Sequence, residues 1–139
     1  PIFREATGQL IARPEYYGML AFAVAGKGDL IKLTASHTDV NLTAYATKNE
    51  AGQVWVTLVN KDLTRAADVE ISLPEGCTTA EVYRLAAPSE ESQNHVTLAG
   101  TEVSANGTWA PSSAEKVEVK AGVASLNLPV VSAALVQLR

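Results

Sequence analysis

The sequence predicts an all-β protein: an antiparallel β-sandwich of immunoglobulin-like or Greek-key type, with one N-terminal α-helix. Three observations predict it. From Asp29 onward, short segments alternate apolar and polar residues and are separated by Gly, Pro, Asn and Asp, as in a sandwich of many short strands. A single stretch, Arg13 to Gly26, carries helix punctuation instead. With 139 residues, 47% of them hydrophobic and 19% charged, the chain is sized for one ordinary core.

Pro1 to Ala12 has mixed composition and no clear period, and reads as an extended loop leading into the helix. The helix is expected over roughly Pro14 to Ala25. Pro14 suits the first helical position, Glu15 complements the positive helix N-terminus, and Gly26 supplies a stop. Tyr16, Tyr17, Met19, Leu20, Phe22 and Val24 spread around most of its circumference, with only Gly18, Ala21, Ala23 and Ala25 between them. A helix on a protein surface shows a polar face, whereas one that is apolar all round is covered on several sides. The strands that follow can cover one side of it, which implies a second cover from outside this chain. The side chains of Tyr16, Met19, Leu20 and Phe22 cannot all fit against one sandwich face. When the second cover is missing, the chain is therefore expected to self-associate, swap the helix between copies or bind a complementary barrel fragment, through Leu20 and Phe22 if they lie on the outer side.

Strand expectations follow in order. Asp29 to Ala35 is a first candidate. Val40, Leu42, Ala44 and Ala46 alternate with polar positions, and Asn49-Glu50-Ala51-Gly52 turns into Gln53 to Asn60. That segment is apolar almost without interruption, as at a sheet centre. Val69, Ile71 and Leu73 alternate with Asp68, Glu70 and Ser72. Thr79 to Ala86 and Val96 to Ala99 come next, then a tight turn at Asn106-Gly107. Val117 to Lys120 and Val123 to Leu128 form a hairpin around Ala121-Gly122, and Ala133 to Leu138 closes the fold.

Several function classes lose support from composition. A net charge of −4 with no run of Lys or Arg gives nucleic acid no basic track. Tyr16 to Ala25 falls well short of the roughly 20 residues a bilayer span requires. Its tyrosines and Glu15 also argue against a signal-peptide core. Cys77 is alone, which leaves no internal disulfide and no cysteine metal site, and with no basic neighbour it reads as an inert thiol. His37 and His95 read as loop histidines with local hydrogen bonds, since no third ligand stands at zinc spacing. No metal and no cofactor is expected.

Glycoside hydrolysis needs two facing carboxylates. Here Glu50, Asp62, Asp68, Glu70, Glu90, Glu91, Glu115 and Glu118 fall at turns or on the polar positions of strands, where charge is solvated. Trp55 lies in the most apolar strand and reads as core, and Trp109, between turns, as a lid folded over a sandwich end. A sugar-binding face would need Trp109, Tyr45 and Tyr83 exposed and coplanar. Asn41-Leu42-Thr43 and Asn106-Gly107-Thr108 match the glycosylation sequon, and the second is already explained by its turn.

Three segments together resemble one family. Arg13-Pro14-Glu15-Tyr16-Tyr17-Gly18-Met19-Leu20-Ala21-Phe22 resembles the last helix of the catalytic barrel in retaining glycoside hydrolases of family 79, the heparanase and β-glucuronidase group. Asn60-Lys61-Asp62 is similar to a turn in that group's C-terminal β-domain, and Leu128 to Val136 to its closing strand. The resemblance implies a domain division at residues 1–28, the loop and last helix of a missing (β/α)8 barrel, and 29–139, the sandwich. It implies a partner, that barrel, and a parent enzyme that is secreted or periplasmic. The loop carrying Phe3 and Arg4 would run toward the rim of the parent's active site, although no motif there names a contact. The family's acid/base and nucleophile glutamates lie upstream, and neither Glu5 nor Glu15 has their sequence context. The resemblance therefore implies a non-catalytic domain, with no catalytic, cofactor-binding or metal residue of its own, that stabilises a glycoside hydrolase barrel. The alternatives are a carbohydrate-binding accessory module and a free-standing immunoglobulin-like interaction domain, the latter leaving the apolar helix unexplained.

Overall fold

Two strands that are apolar on both faces must have protein on both faces. They are β5 (Val54–Asn60) and β12 (Ser132–Leu138), which lie side by side at the middle of a seven-stranded antiparallel sheet in the computed structural model, which describes residues 1–139. Outward from β5 lie β4 (Leu42–Lys48) and β3 (Asp29–Ile31). Outward from β12 lie β7 (Ala80–Ala86) and β8 (Thr97–Leu98), with β9 (Glu115–Val117) also paired to β7. A second sheet has three strands in the order β10 (Val119–Lys120), β11 (Val123–Leu128) and β6 (Ala67–Ser72).

The register explains the core. Val54, Val56 and Leu58 stand opposite Leu138, Val136 and Ala134, and Leu138 and Val136 stand opposite Ala80 and Val82. All of these are buried against Ala67 of β6 and Ala124, Leu126 and Leu128 of β11. The alternate residues of β6 and β11, among them Asp68, Glu70, Ser125 and Asn127, are exposed. Period two thus places one polar and one apolar face on the small sheet, while the large sheet is apolar on both.

Helix α1 (Pro14–Ala25) covers the other face of the large sheet. Tyr17, Ala21 and Ala25 recur every four residues and are buried with Trp55, Leu135, Val96 and Leu98. Small side chains at two of the three positions bring the helix close to the sheet. The Thr47 hydroxyl of β4 donates to the Ala25 carbonyl at 2.6 Å, and the Gly26 N–H closes the last turn on Phe22 O at 2.7 Å. At the other end the Tyr17 hydroxyl accepts the Val103 N–H at 2.9 Å, and burial pushes its pKa above the usual tyrosine value. No helix is long and apolar enough to cross a membrane.

The structure differs from the sequence reading in three places. Residues 1–12 form a hairpin, β1 (Ile2–Arg4) against β2 (Leu10–Ala12), instead of an extended loop. Its turn is closed by Glu5 N–H to Gln9 O and by Gly8 at φ +88°, and with two strands of three residues the alternation is too short to register as a period. The strand expected over Asp29 to Ala35 pairs with β4 only as far as Ile31. Beyond it the chain leaves β4, and Leu33 and Ala35 line a cleft between the sheets. The strand expected over Val117 to Lys120 is divided, because the chain changes sheets at Glu118: Glu115–Val117 pairs with β7 and Val119–Lys120 with β11.

Gly28 marks a close approach of chain to chain. Its φ is +108°, and a Cβ there would overlap the Lys48 carbonyl. Gly52 also has positive φ, +80°, but faces open space. Gly28→Ala is therefore expected to lose more stability than Gly52→Ala in urea denaturation, the latter carrying only the backbone strain of roughly 1–3 kcal/mol.

Candidate functional site

Two of the four connections between the sheets meet at one corner: β5 to β6 through residues 61–66, and β11 to β12 through residues 129–131. Asn60 sits on the inward parity of β5, in step with Val54, Val56 and Leu58, and is 1% exposed. Its amide donates to Arg65 O at 2.9 Å, Pro129 O at 2.9 Å and Leu128 O at 3.3 Å, while its Oδ1 accepts the Asp62 N–H at 3.0 Å. Asp62 is also buried, which corrects its assignment to the solvated acids. Its Oδ1 accepts the N–H groups of Thr64 (3.1 Å) and Arg65 (3.0 Å), and its Oδ2 that of Asn41 (3.3 Å). The Arg65 guanidinium closes on Oδ2 at 2.8–2.9 Å. The Thr64 N–H and the Arg65 side chain, acting against burial, hold this carboxyl well below the usual carboxylate range.

The sequence identified Asn-Lys-Asp as a turn but not as a tie between two crossovers. The available signal was parity: a polar side chain at an inward position of the most apolar strand needs buried partners.

The other candidate residues stay apart. Glu15 is exposed on the first helical turn, and Glu5 lies in the β1–β2 turn. Glu115 forms a two-pronged pair with Arg84 (2.7 and 3.2 Å), whose hydrogen bonds lower its pKa. His95 Nδ1 lies 3.1 Å from Glu102 Oε1, and His37 stands 3.6 Å from Asp39 in the open. Cys77 is half-buried against the core. No three His, Cys, Asp or Glu side chains converge.

Trp55 is buried and meets the Tyr83 ring at 5.3 Å. Trp109 is a half-buried lid, donating its indole N–H to Leu98 O at 3.2 Å. Tyr45 and Tyr83 share a row across the sheet through Thr57 and Leu135, three strand spacings apart and so about 14 Å. These aromatics form no shared exposed plane.

The helix side of the molecule does present apolar surface. Phe22 is 74% exposed and Met19 61%, on the side of α1 turned from the sheet, whereas Leu20 is half-buried against it. Ile2, Phe3 and Leu10 of the preceding hairpin are exposed too. The hairpin is fastened to the rest by Arg13, whose guanidinium lies 4.6 Å over the Phe3 ring and donates to Asn94 Oδ1 at 2.8 Å.

The model of the glycosyl hydrolase family 79 C-terminal beta domain matches residues 21–135, which include Asn60, Asp62 and all of β11. The chain belongs to this family. Among solved structures, it is similar to the family 51 α-L-arabinofuranosidase of Thermotoga petrophila RKU-1 (21% identity, TM-score 0.72, 99% of this chain and 31% of that one). The arabinose complex of the Thermotoga maritima α-L-arabinofuranosidase gives 21%, 0.70, 98% and 30%, and the catalytic domain of family 30 xylanase C from Talaromyces cellulolyticus 14%, 0.65, 99% and 27%. Identities this low make the likeness one of fold. The chain spans about a third or less of the length of these proteins. No curated protein sequence matches it.

The family 79 β-domain corner can be tested by pH. The folded Asp62 pKa lies below its unfolded value, so its stabilisation is complete above the ordinary carboxylate pKa of about 3.9 and fades as pH falls toward the folded value. Asp62→Asn should lower the urea midpoint at pH 7, and its gap from the parent should narrow progressively below about pH 4.

Proposed function

We propose that this chain is the non-catalytic C-terminal sandwich of a retaining glycoside hydrolase of the β-glucuronidase and heparanase type. In this reading residues 1–28 belong to the catalytic (β/α)8 barrel, α1 being its last helix, and residues 29–139 form the domain that packs on it. One observation carries the proposal: α1 turns Tyr17, Ala21 and Ala25 to the sheet and leaves Met19 and Phe22 in water. Each large apolar side chain so placed forgoes roughly 1.5–3 kcal/mol of burial. Clustered exposed apolar surface marks a contact with another body. The exposed hairpin beside the helix would enlarge that contact. The sugar-binding alternative loses ground because Tyr45 and Tyr83 are too far apart to grip one ring and Trp109 is folded down.

Met19→Lys and Phe22→Lys should leave the folding free energy within about 0.5 kcal/mol, because both side chains are already exposed. The same changes should abolish binding to a separately produced catalytic barrel, and any self-association of the isolated chain, in sedimentation velocity. Retained binding by the double variant would refute the helix as the docking element. The isolated chain should show no turnover of aryl glucuronides; turnover lost on replacing one of its own carboxylates would overturn the non-catalytic assignment.

A further inference from the structure

A two-stranded hairpin with strands of three residues does not hold its shape unaided in water, so β1 and β2 depend on what they are tied to. Ala12 joins the helix core, whereas Ile2, Phe3 and Leu10 stand in solvent. The tie is the Arg13 side chain. Its guanidinium carbon lies 4.6 Å over the Phe3 ring, and its Nη1 donates to Asn94 Oδ1 at 2.8 Å and to Gln93 O at 3.2 Å. One group thus covers the hairpin's aromatic ring and bonds a loop 80 residues further along the chain. That loop, residues 87–96, joins β7 to β8 and is itself braced. The Ser89 N–H donates to Ser92 Oγ at 2.8 Å, the Ser92 N–H returns to Ser89 O at 3.2 Å, and Val96 at its end is buried in the helix core. Arg13 stands at the N-cap of α1 but its side chain makes no cap hydrogen bond, so the side chain is committed to the tie.

We propose that Arg13 is a positioning residue of the parent enzyme: it latches the β1–β2 hairpin to the 87–96 loop, so that the sandwich fixes one wall of the barrel's substrate cleft. This rests on the reading of α1 as the last barrel helix. In a (β/α)8 barrel the segment entering each helix crosses the face where the strands end, and that face carries the active site. Residues 1–12 enter α1, and on that reading they lie on that face. Displacing such a segment by about 1 Å costs up to roughly 100-fold in rate. The residue type fits the task, since a planar guanidinium can cover an aromatic ring and donate to carbonyl oxygens at once, which the point charge of lysine cannot. The latch gives the sandwich a share in substrate binding although no group of the 87–96 loop need touch the substrate.

Amide exchange on the 139-residue chain, and kinetics of the longer polypeptide on a panel of aryl glycosides that includes a glucuronide, test this with Arg13→Ala, Asn94→Ala and Arg13→Lys. The Glu5 and Arg13 amides, bonded within the hairpin to Gln9 O and Pro1 O, should exchange about tenfold faster or more in each alanine variant, with the β5 amides unchanged. In the longer polypeptide the alanine variants should lower kcat/KM by about 10–100-fold. The double variant should lose no more than the single ones, because both act through one contact, and Arg13→Lys should recover part of the loss. The loss should fall on KM; a fall in kcat alone is what a smaller folded fraction gives, and that pattern overturns the positioning role. Unchanged hairpin exchange overturns the latch itself. Faster exchange with unaltered kcat/KM overturns the positioning role and leaves the barrel reading standing. Full additivity in the double variant overturns action through a shared contact. No turnover of any aryl glycoside by the unsubstituted longer polypeptide fails the barrel reading and the positioning role together.

Discussion

The corner at Asn60 and Asp62 is the constraint on which the two-sheet arrangement depends. A chain that leaves one sheet for the other abandons its ladder partners, and the backbone groups exposed in the crossover must be paired or remain in water. Here two of the crossovers lie against each other, and the side chains of Asn60 and Asp62 do part of that pairing. One amide side chain takes carbonyls from both, and one carboxylate gathers the N–H groups that follow it, together with Asn41 at the head of β4. The arrangement also holds a strained residue. Val131 has φ +46°, which a β-branched side chain resists, and its N–H is fixed to the Asp62 carbonyl at 3.2 Å. A strain of about 1–3 kcal/mol persists only where the surroundings over-determine the conformation.

With the sheets fixed at that corner, the large sheet becomes a shared wall between two cores. Val54, Val56 and Leu58 serve the sandwich, while Trp55, one residue out of phase, serves the helix. In β12, Ala134 and Val136 face one way and Leu135 the other. The continuous apolar runs of β5 and β12 follow from this double duty. Each strand reads as featureless in sequence because its two alternating patterns are both apolar.

Most of the architecture was legible for the same reason that parts of it were not. Long segments with clear parity gave β4, β5, β7, β11, β12 and the helix nearly to the residue, because burial on a given face leaves a periodic record. The β1–β2 hairpin and the divided β9 and β10 were missed, because two or three residues cannot establish a period and the switch at Glu118 depends on where two sheets lie in space. Asp62 was misread because a turn aspartate normally faces water. Its burial comes from the 129–131 segment, which arrives from the far end of the chain.

Helix α1 inverts the usual surface rule. Toward the sheet it offers two alanines and a tyrosine, and toward water a methionine and a phenylalanine. Folding of this chain alone gives no reason for that order, because polar residues at positions 19 and 22 would cost the sheet contact nothing. Large apolar groups on the outer side are stabilising only where a second body receives them. In the proposed docking the two sides of the helix are fitted to different neighbours. The sheet side needs close approach, which alanine permits, and the outer side needs area, which phenylalanine and methionine supply. On the proposed reading a helix so divided lies at the boundary between two bodies, and the sandwich behind it fixes its position there.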